Sequence, residues 1–180
     1  MSIQAQSETI GDDSSTIGSG VGTMERELSA MGFDPSCPTP TTFQLRAALP
    51  KQGRGQAIMA ATDRMWVNLK VYASGGENEL HAHMNEDHVF IILQGAAIFR
   101  APDGGTTRLT RNYGLMLPRG TTYSFTADEA EPLVLLRVGA VVDPEKSAWS
   151  RTDASGKPLA GNAVENKAVP TVFYTDRFYE

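Results

Sequence analysis

Cysteine, histidine and long apolar runs are all scarce in this chain of 180 residues. Cys37 is the single cysteine, so no disulfide can form within the chain, and one lone thiol points to a reducing compartment. No stretch nears the roughly 20 apolar residues that a membrane-spanning helix needs. The opening MSIQAQSETIGDD has neither a basic start nor an apolar run, so no secretory signal is expected. Basic side chains are in deficit too. Sixteen Lys and Arg face 21 Asp and Glu, a formal net charge of −5, which argues against nucleic acid and anionic membrane as partners. These absences leave a cytoplasmic, soluble domain as the expectation, and the length suits one domain with its own core.

The N-terminal part is poor in core-forming residues. Residues 1–22 are rich in Ser, Thr, Gly and Asp and read as a flexible arm. TMERELSAMGF (23–33) reads as a short helix with Thr23 as its N-cap and Gly32 as its stop, and DPSCPTPTT then carries three prolines in an extended linker. The texture changes near Met59. In MWVNLKVY (65–72), Val67, Leu69 and Val71 alternate with Trp66, Asn68, Lys70 and Tyr72, the period of a strand. Further strand-like runs follow: ELHAHM, HVFIILQG, AAIFRA before the turn PDGG, GLMLPRGTTYSF and PLVLLRVGAVV. Short strands broken by turns every 8–12 residues predict an all-β sandwich or barrel. The expected division is 1–58 for arm, helix and linker, 59–142 for the barrel, and 143–180 for a tail. Phe173, Tyr174, Phe178 and Tyr179 make that tail too apolar to be free, so it should pack on the barrel or across a dimer.

All three histidines of the chain fall in HAHMNEDH (81–88). Chance would place three in such a window in under about one case in a hundred, which makes a shared site the better reading than three unrelated core or surface residues. On a strand, His81 and His83 project to the same face. The turn MNED would bring the next strand alongside, so that His88 closes a triangle of neutral imidazoles, the donor set of zinc, iron, copper and nickel. Three such ligands leave open coordination positions.

The segment GGENELHAHMNEDHVFIILQG (75–95) resembles the first motif of the cupins: a glycine, five residues, HxH, four residues, a glutamate, six residues and a glycine. Gly75, His81, His83 and Gly95 match, and His88 stands in the glutamate position. GLMLPRGTTY is similar to the second motif through Pro118 and Gly120, with Gly114 two residues too close to the proline and Tyr123 in place of the histidine. The resemblance covers about residues 60–142. It implies an all-β jelly-roll barrel with a divalent transition metal inside, often in a homodimer. The metal would be held by His81, His83 and His88, with iron favoured and zinc, nickel or manganese as alternatives. Loss of the family's glutamate would leave the centre more positive and better suited to anionic chelates such as an enolate, a diketonate or an α-hydroxy acid. Three-histidine cupins of this kind include iron oxygenases. The resemblance therefore implies a non-haem iron dioxygenase acting on a small chelating carbonyl or enol substrate. An oxygen-independent zinc or nickel lyase, isomerase or hydrolase, or a non-catalytic small-molecule-binding module, are the alternatives.

Other residues are weighed beside this centre. Tyr123, on one face with Thr121 and Phe125, is the candidate catalytic residue, as a ligand, a proton donor or barrel filling. Glu86 and Asp87 read as turn acids placed for solvation rather than catalysis. Phe90 and Ile92 follow His88 at even spacing and should line its surroundings. Asn68 and Lys70 face either the interior or solvent. Arg119 reads as a solvated loop residue, Trp66 as core or interface, and Cys37 has no case as a nucleophile.

Overall fold

The computed structural model describes residues 38–76, 78–128, 130–146, 150–159 and 169–180. The expected arm (1–22), the helix over 23–33 and Cys37 lie outside the described residues. Among the described residues there is no helix, and none is long and apolar enough to cross a membrane. The described residues form twelve strands, all in antiparallel pairs: β1 (Ala47–Gln52), β2 (Arg54–Ala61), β3 (Met65–Tyr72), β4 (Asn78–His83), β5 (Glu86–Gln94), β6 (Ala96–Arg100), β7 (Thr106–Thr110), β8 (Gly114–Leu117), β9 (Tyr123–Ala127), β10 (Leu133–Val141), β11 (Arg151–Asp153) and β12 (Val172–Tyr179). Paired strands thus begin before residue 59 and resume after 142.

Two five-stranded sheets carry the fold, in the orders β2-β3-β10-β5-β8 and β11-β4-β9-β6-β7. The all-β jelly-roll is as expected, but the sheets are not closed into one hydrogen-bonded barrel; they face each other as open sheets. Aromatic side chains join them. Phe90 of β5 meets Phe99 of β6 at 5.7 Å and Phe125 of β9 at 5.6 Å between ring centroids, and Tyr72 of β3 meets Phe125 edge-on at 5.0 Å. Rings at these separations add attraction beyond the area they bury. Strand alternation explains the rest: Glu86, His88, Phe90 and Ile92 are buried, while Asp87, Val89 and Ile91 between them are less so.

A third layer covers part of the first sheet's outer face. Strands β1 and β12 pair as a two-stranded ribbon. Beneath it Leu69, Val71 and Val134 form a second apolar cluster with Ala47 and Leu49, and Phe173, Tyr174 and Tyr179 pack against it. The aromatic tail is therefore docked on its own chain. The consequence for β3 runs against a simple amphipathic reading. Its aliphatic residues Leu69 and Val71 face the ribbon, and Trp66, Asn68, Lys70 and Tyr72 point between the two sheets. Gly139 of β10 lies opposite Trp66 in register, and a Cβ there would collide with the indole.

Candidate metal centre

The two facing sheets each contribute to one polar cluster. From the β4 side come His81 and His83, with Tyr123 opposite His81 and Arg151 opposite His83 in strand register. From the β5 side come Glu86 and His88, with Arg137 of β10 between Phe90 and Asn68. The expected arrangement of His88 on a strand paired with that of His81 and His83 is corrected here, since β4 and β5 belong to different sheets. The turn between them is only Met84 and Asn85, and it crosses from one sheet to the other. Asn85 clamps this crossing: its Nδ2 donates to the Asp143 and Lys146 carbonyls at 2.8 and 3.0 Å, and its Oδ1 accepts from Asp143 N at 2.9 Å. On the other side Gly120 N donates to the His83 carbonyl at 2.8 Å, and Gly120 adopts φ 77°, a conformation that glycine tolerates best.

The three rings are gathered. Centroids of His81 and His83 are 5.2 Å apart, and those of His83 and His88 5.1 Å. Each ring is nearly buried, at 2, 9 and 3% exposure for His81, His83 and His88. Their tautomers follow from their neighbours. His81 Nδ1 lies 2.7 Å from the Glu79 carbonyl, which can only accept, so Nδ1 carries the proton and Nε2 keeps its lone pair. His83 Nδ1 and His88 Nδ1 lie 3.3 and 3.1 Å from the same carboxylate oxygen, Glu86 Oε1. These contacts are not aligned as hydrogen bonds, but their electrostatics favour N–H at Nδ1 in both rings. His88 Nε2 is then an acceptor, and the Tyr123 hydroxyl donates to it at 3.1 Å.

Burial governs the charge state of the cluster. It lowers His81 to about 2, with Arg151 adding to the effect and the Glu79 carbonyl opposing it. Burial, then Arg137, hold His83 well below the usual histidine range, and burial followed by Lys70 lowers His88 to about 4. All three imidazoles are neutral at physiological pH. Burial raises Tyr123 above the ordinary phenol range, so it stays protonated.

Glu86 is the residue that the sequence reading missed. Placed there in a solvated turn, it is instead the first residue of β5 and fully buried, and it makes an ion pair with the buried Arg137. The signal was present: Glu86 precedes His88 by two residues and shares its face. Asp87 points the other way, accepting from Arg119 N at 2.7 Å, with the Arg119 guanidinium 3.5 Å from it. Phe90 packs edge-on against His88 at 5.1 Å, and Phe90 and Ile92 line the apolar side of the cluster, as their spacing predicts.

Whether this donor set suits a metal ion can be judged from its nitrogens. Three Nδ1 atoms face a carbonyl or a carboxylate, the usual way in which ligating histidines are oriented and made more basic. Two Nε2 lone pairs are uncommitted, and the third accepts from a hydroxyl able to rotate away. The chemistry of the set fits. As the side chains stand, however, no group of three or more His, Cys, Asp or Glu among the described residues is arranged to hold an ion. A surface cleft of about 570 Å³, lined by Leu93, Arg108, Glu131 and Tyr179 among others, includes none of the histidines.

No curated protein sequence matches the chain. Among solved structures it is similar to the cupin domain of Schizosaccharomyces pombe Cnp3, at 20% identity over 51% of this chain and 67% of that one, with a TM-score of 0.46. It is similar to KdgF from Halomonas sp. at 19% identity, covering 52% of this chain and 84% of that one with a TM-score of 0.46. The polyketide cyclase RemF from Streptomyces resistomycificus is similar at 18% identity over 59% and 81% of the two chains, with a TM-score of 0.48. These likenesses say nothing of activity. The cupin domain family matches residues 68–139, the span that holds all three histidines, Glu86, Tyr123 and Arg137. With its two motif-bearing segments folded onto facing antiparallel sheets, the stretch from residue 68 to residue 139 is similar to the cupin domain.

Proposed function

We propose that the chain is a metal-dependent cupin enzyme, a non-haem iron dioxygenase acting on a small chelating carbonyl or enol substrate. His81, His83 and His88 would hold the metal through Nε2. One observation carries this reading: three neutral histidines from two sheets converge with their Nδ1 atoms turned to Glu79 and Glu86, which leaves Nε2 as the ligating atom of each. The bound ion would supply Lewis acidity toward a chelating substrate and, if iron, reactivity with oxygen.

The chain's own residues set the surroundings. Glu86, paired with Arg137, stands 3.3 and 3.1 Å from Nδ1 of His83 and His88 and favours the tautomer of each that leaves Nε2 free. Phe90 and the aromatic core exclude water from one side of the cluster. Tyr123 holds a proton at its hydroxyl, beside His88 Nε2, and can deliver it to a substrate oxygen. That last feature also favours a second reading, a zinc or nickel lyase or isomerase that uses Tyr123 as its acid without oxygen. Protein purified anaerobically with its own metal and assayed for oxygen uptake with diketones, catechol-like enols and α-hydroxy acids separates them. Substrate-dependent oxygen consumption that stops in His83→Ala is expected for the dioxygenase. Turnover that continues without oxygen and fails in Tyr123→Phe would establish the second reading instead.

A further inference from the structure

The ribbon of β1 and β12 covers only part of the first sheet's outer face. Leu69, Val71 and Val134 lie beneath it, with Phe173, Tyr174 and Tyr179 packed against them. Further along the same strands, alternation puts Val67 of β3, Leu136 and Val138 of β10, and Val89 and Ile91 of β5 on that same face. All five are half-buried, and neither apolar cluster of the described residues includes them. Register lines them up. Val138 stands between Val67 and Val89, and Val89 in turn stands opposite Met116 of the edge strand β8. Leu136 stands between Leu69 and Ile91, so the row continues from the covered part without a break. Met65 and Ala140 pair at the next outward position. Met116 and Met65, on opposite sides of this surface, are 64 and 47% exposed. Across β3, β10, β5 and β8 the first charge met on the face is Asp87, at its margin.

Soluble monomers rarely leave a continuous apolar surface of this kind open, and the charges around it say what fits. Asp63 and Arg64 pair beside Met65 on the β3 side, and Asp87 and Arg119 pair on the side of β5 and β8, all four of them exposed. The rim therefore holds an acid and a base on each side and is neutral, although the chain as a whole carries −5. Neither a basic nor an acidic partner finds a complementary field there. A second copy of the chain does. We propose that this uncovered half of the first sheet's outer face is the interface of a homodimer, in which two copies pack sheet against sheet. A two-fold axis lying in the plane of the face sets the apolar middle against itself. The same axis brings the Asp63–Arg64 side of one copy to the Asp87–Arg119 side of the other, where each acid can face an arginine. An apolar middle within a polar rim is the usual build of such contacts. His88 and Val89 alternate along β5, so the interface lies across the sheet from the histidine cluster and is tested without reference to any metal.

The test is sedimentation of the full chain from low to high micromolar concentration. Wild type should run at twice the mass of one chain, and its melting temperature should rise with concentration, as it does when folding and association are linked. Met116→Lys and Met65→Lys each place a cation without a counter-charge in the contact, and each should weaken association by about 100-fold or more. Both positions are exposed in the single chain, so the variants should keep the far-ultraviolet circular dichroism of wild type while they sediment as monomers. Val172→Lys changes an exposed apolar residue of the ribbon, 43% exposed and off this face, and should leave the dimer intact. Dimers that persist in both methionine variants would overturn the proposal, and so would a Val172→Lys variant that dissociates as readily as they do. A wild type that stays monomeric overturns it as well. Binding of an apolar dye to that monomer would then leave the face to a foreign partner, and no binding would show it covered within the chain.

Discussion

Replacing Glu86 by glutamine keeps the shape of the side chain and removes its charge, which isolates what the carboxylate does. In the native protein this one buried group faces the Arg137 guanidinium and the Nδ1 atoms of His83 and His88. With glutamine, Arg137 becomes a buried cation without a counter-charge at 3% exposure. Breaking a buried pair in this way costs about 3–5 kcal/mol. At roughly 2–4 °C per kcal/mol for a chain of this size, the melting temperature should fall by about 6–20 °C. The double variant Glu86→Gln/Arg137→Met should recover much of that loss, because the stranded charge goes with its partner. Metal affinity should behave differently. It should drop by about 10–100-fold in Glu86→Gln and stay low in the double variant, since neither restores a carboxylate to orient the two rings. Thermal unfolding by circular dichroism and metal titration on chelator-treated protein read the two effects separately. A melting temperature within 1–2 °C of wild type (about 0.5 kcal/mol on the same scale) would refute the reasoning, and so would a double variant no more stable than the single one.

Three further outcomes follow from the same geometry. Deleting residues 170–180 removes β12 with Phe173, Tyr174 and Tyr179, and at about 1 kcal/mol for each partly buried ring should cost roughly 3 kcal/mol or more, read as a lower melting temperature; an unchanged transition would mean that the ribbon adds nothing to the fold. Metal-free protein should lose stability as pH falls below about 6.5, because His88 is lowered to about 4 in the folded state and the unfolded chain takes up its proton first. For this group alone the loss between pH 6.5 and 4 is roughly 3 kcal/mol, and a flat stability curve over that range would contradict the burial argument. His88→Glu sets a second carboxylate beside Glu86, a repulsion of up to about 4 kcal/mol at an effective dielectric near 20. Metal-free His88→Glu should therefore melt below His88→Gln at pH 7, with the gap closing toward pH 5 as one acid protonates; a constant gap would show that residue 88 and Glu86 do not interact.

The strand periods of residues 65–72 and 88–95, the two motif segments and the histidine window were legible because each depends on local spacing. Phe90 and Ile92 were placed beside His88 for the same reason. What failed depended on where sheets pack. In β3 the aliphatic residues Leu69 and Val71 are buried under a ribbon made from residues far apart in the chain, so Asn68 and Lys70 point inward, a choice that alternation alone leaves open. Glu86 was misplaced because four residues, MNED, looked like a turn when two suffice to cross between the sheets. A one-residue change in where a strand begins decides which acid is buried, and here it selects Glu86 over Asp87. Sheet closure was not legible either, because hydrogen bonding across the edges is set by the whole assembly of strands.

The central claim is that His81, His83 and His88 together hold a metal ion, and elemental analysis of protein purified without chelator tests it most directly. The account predicts about one transition-metal ion per chain, lost for the most part in His81→Ala and His83→Ala and in His88→Ala. Protein that carries no metal, and binds none of iron, zinc, nickel or manganese at micromolar concentration, would contradict it.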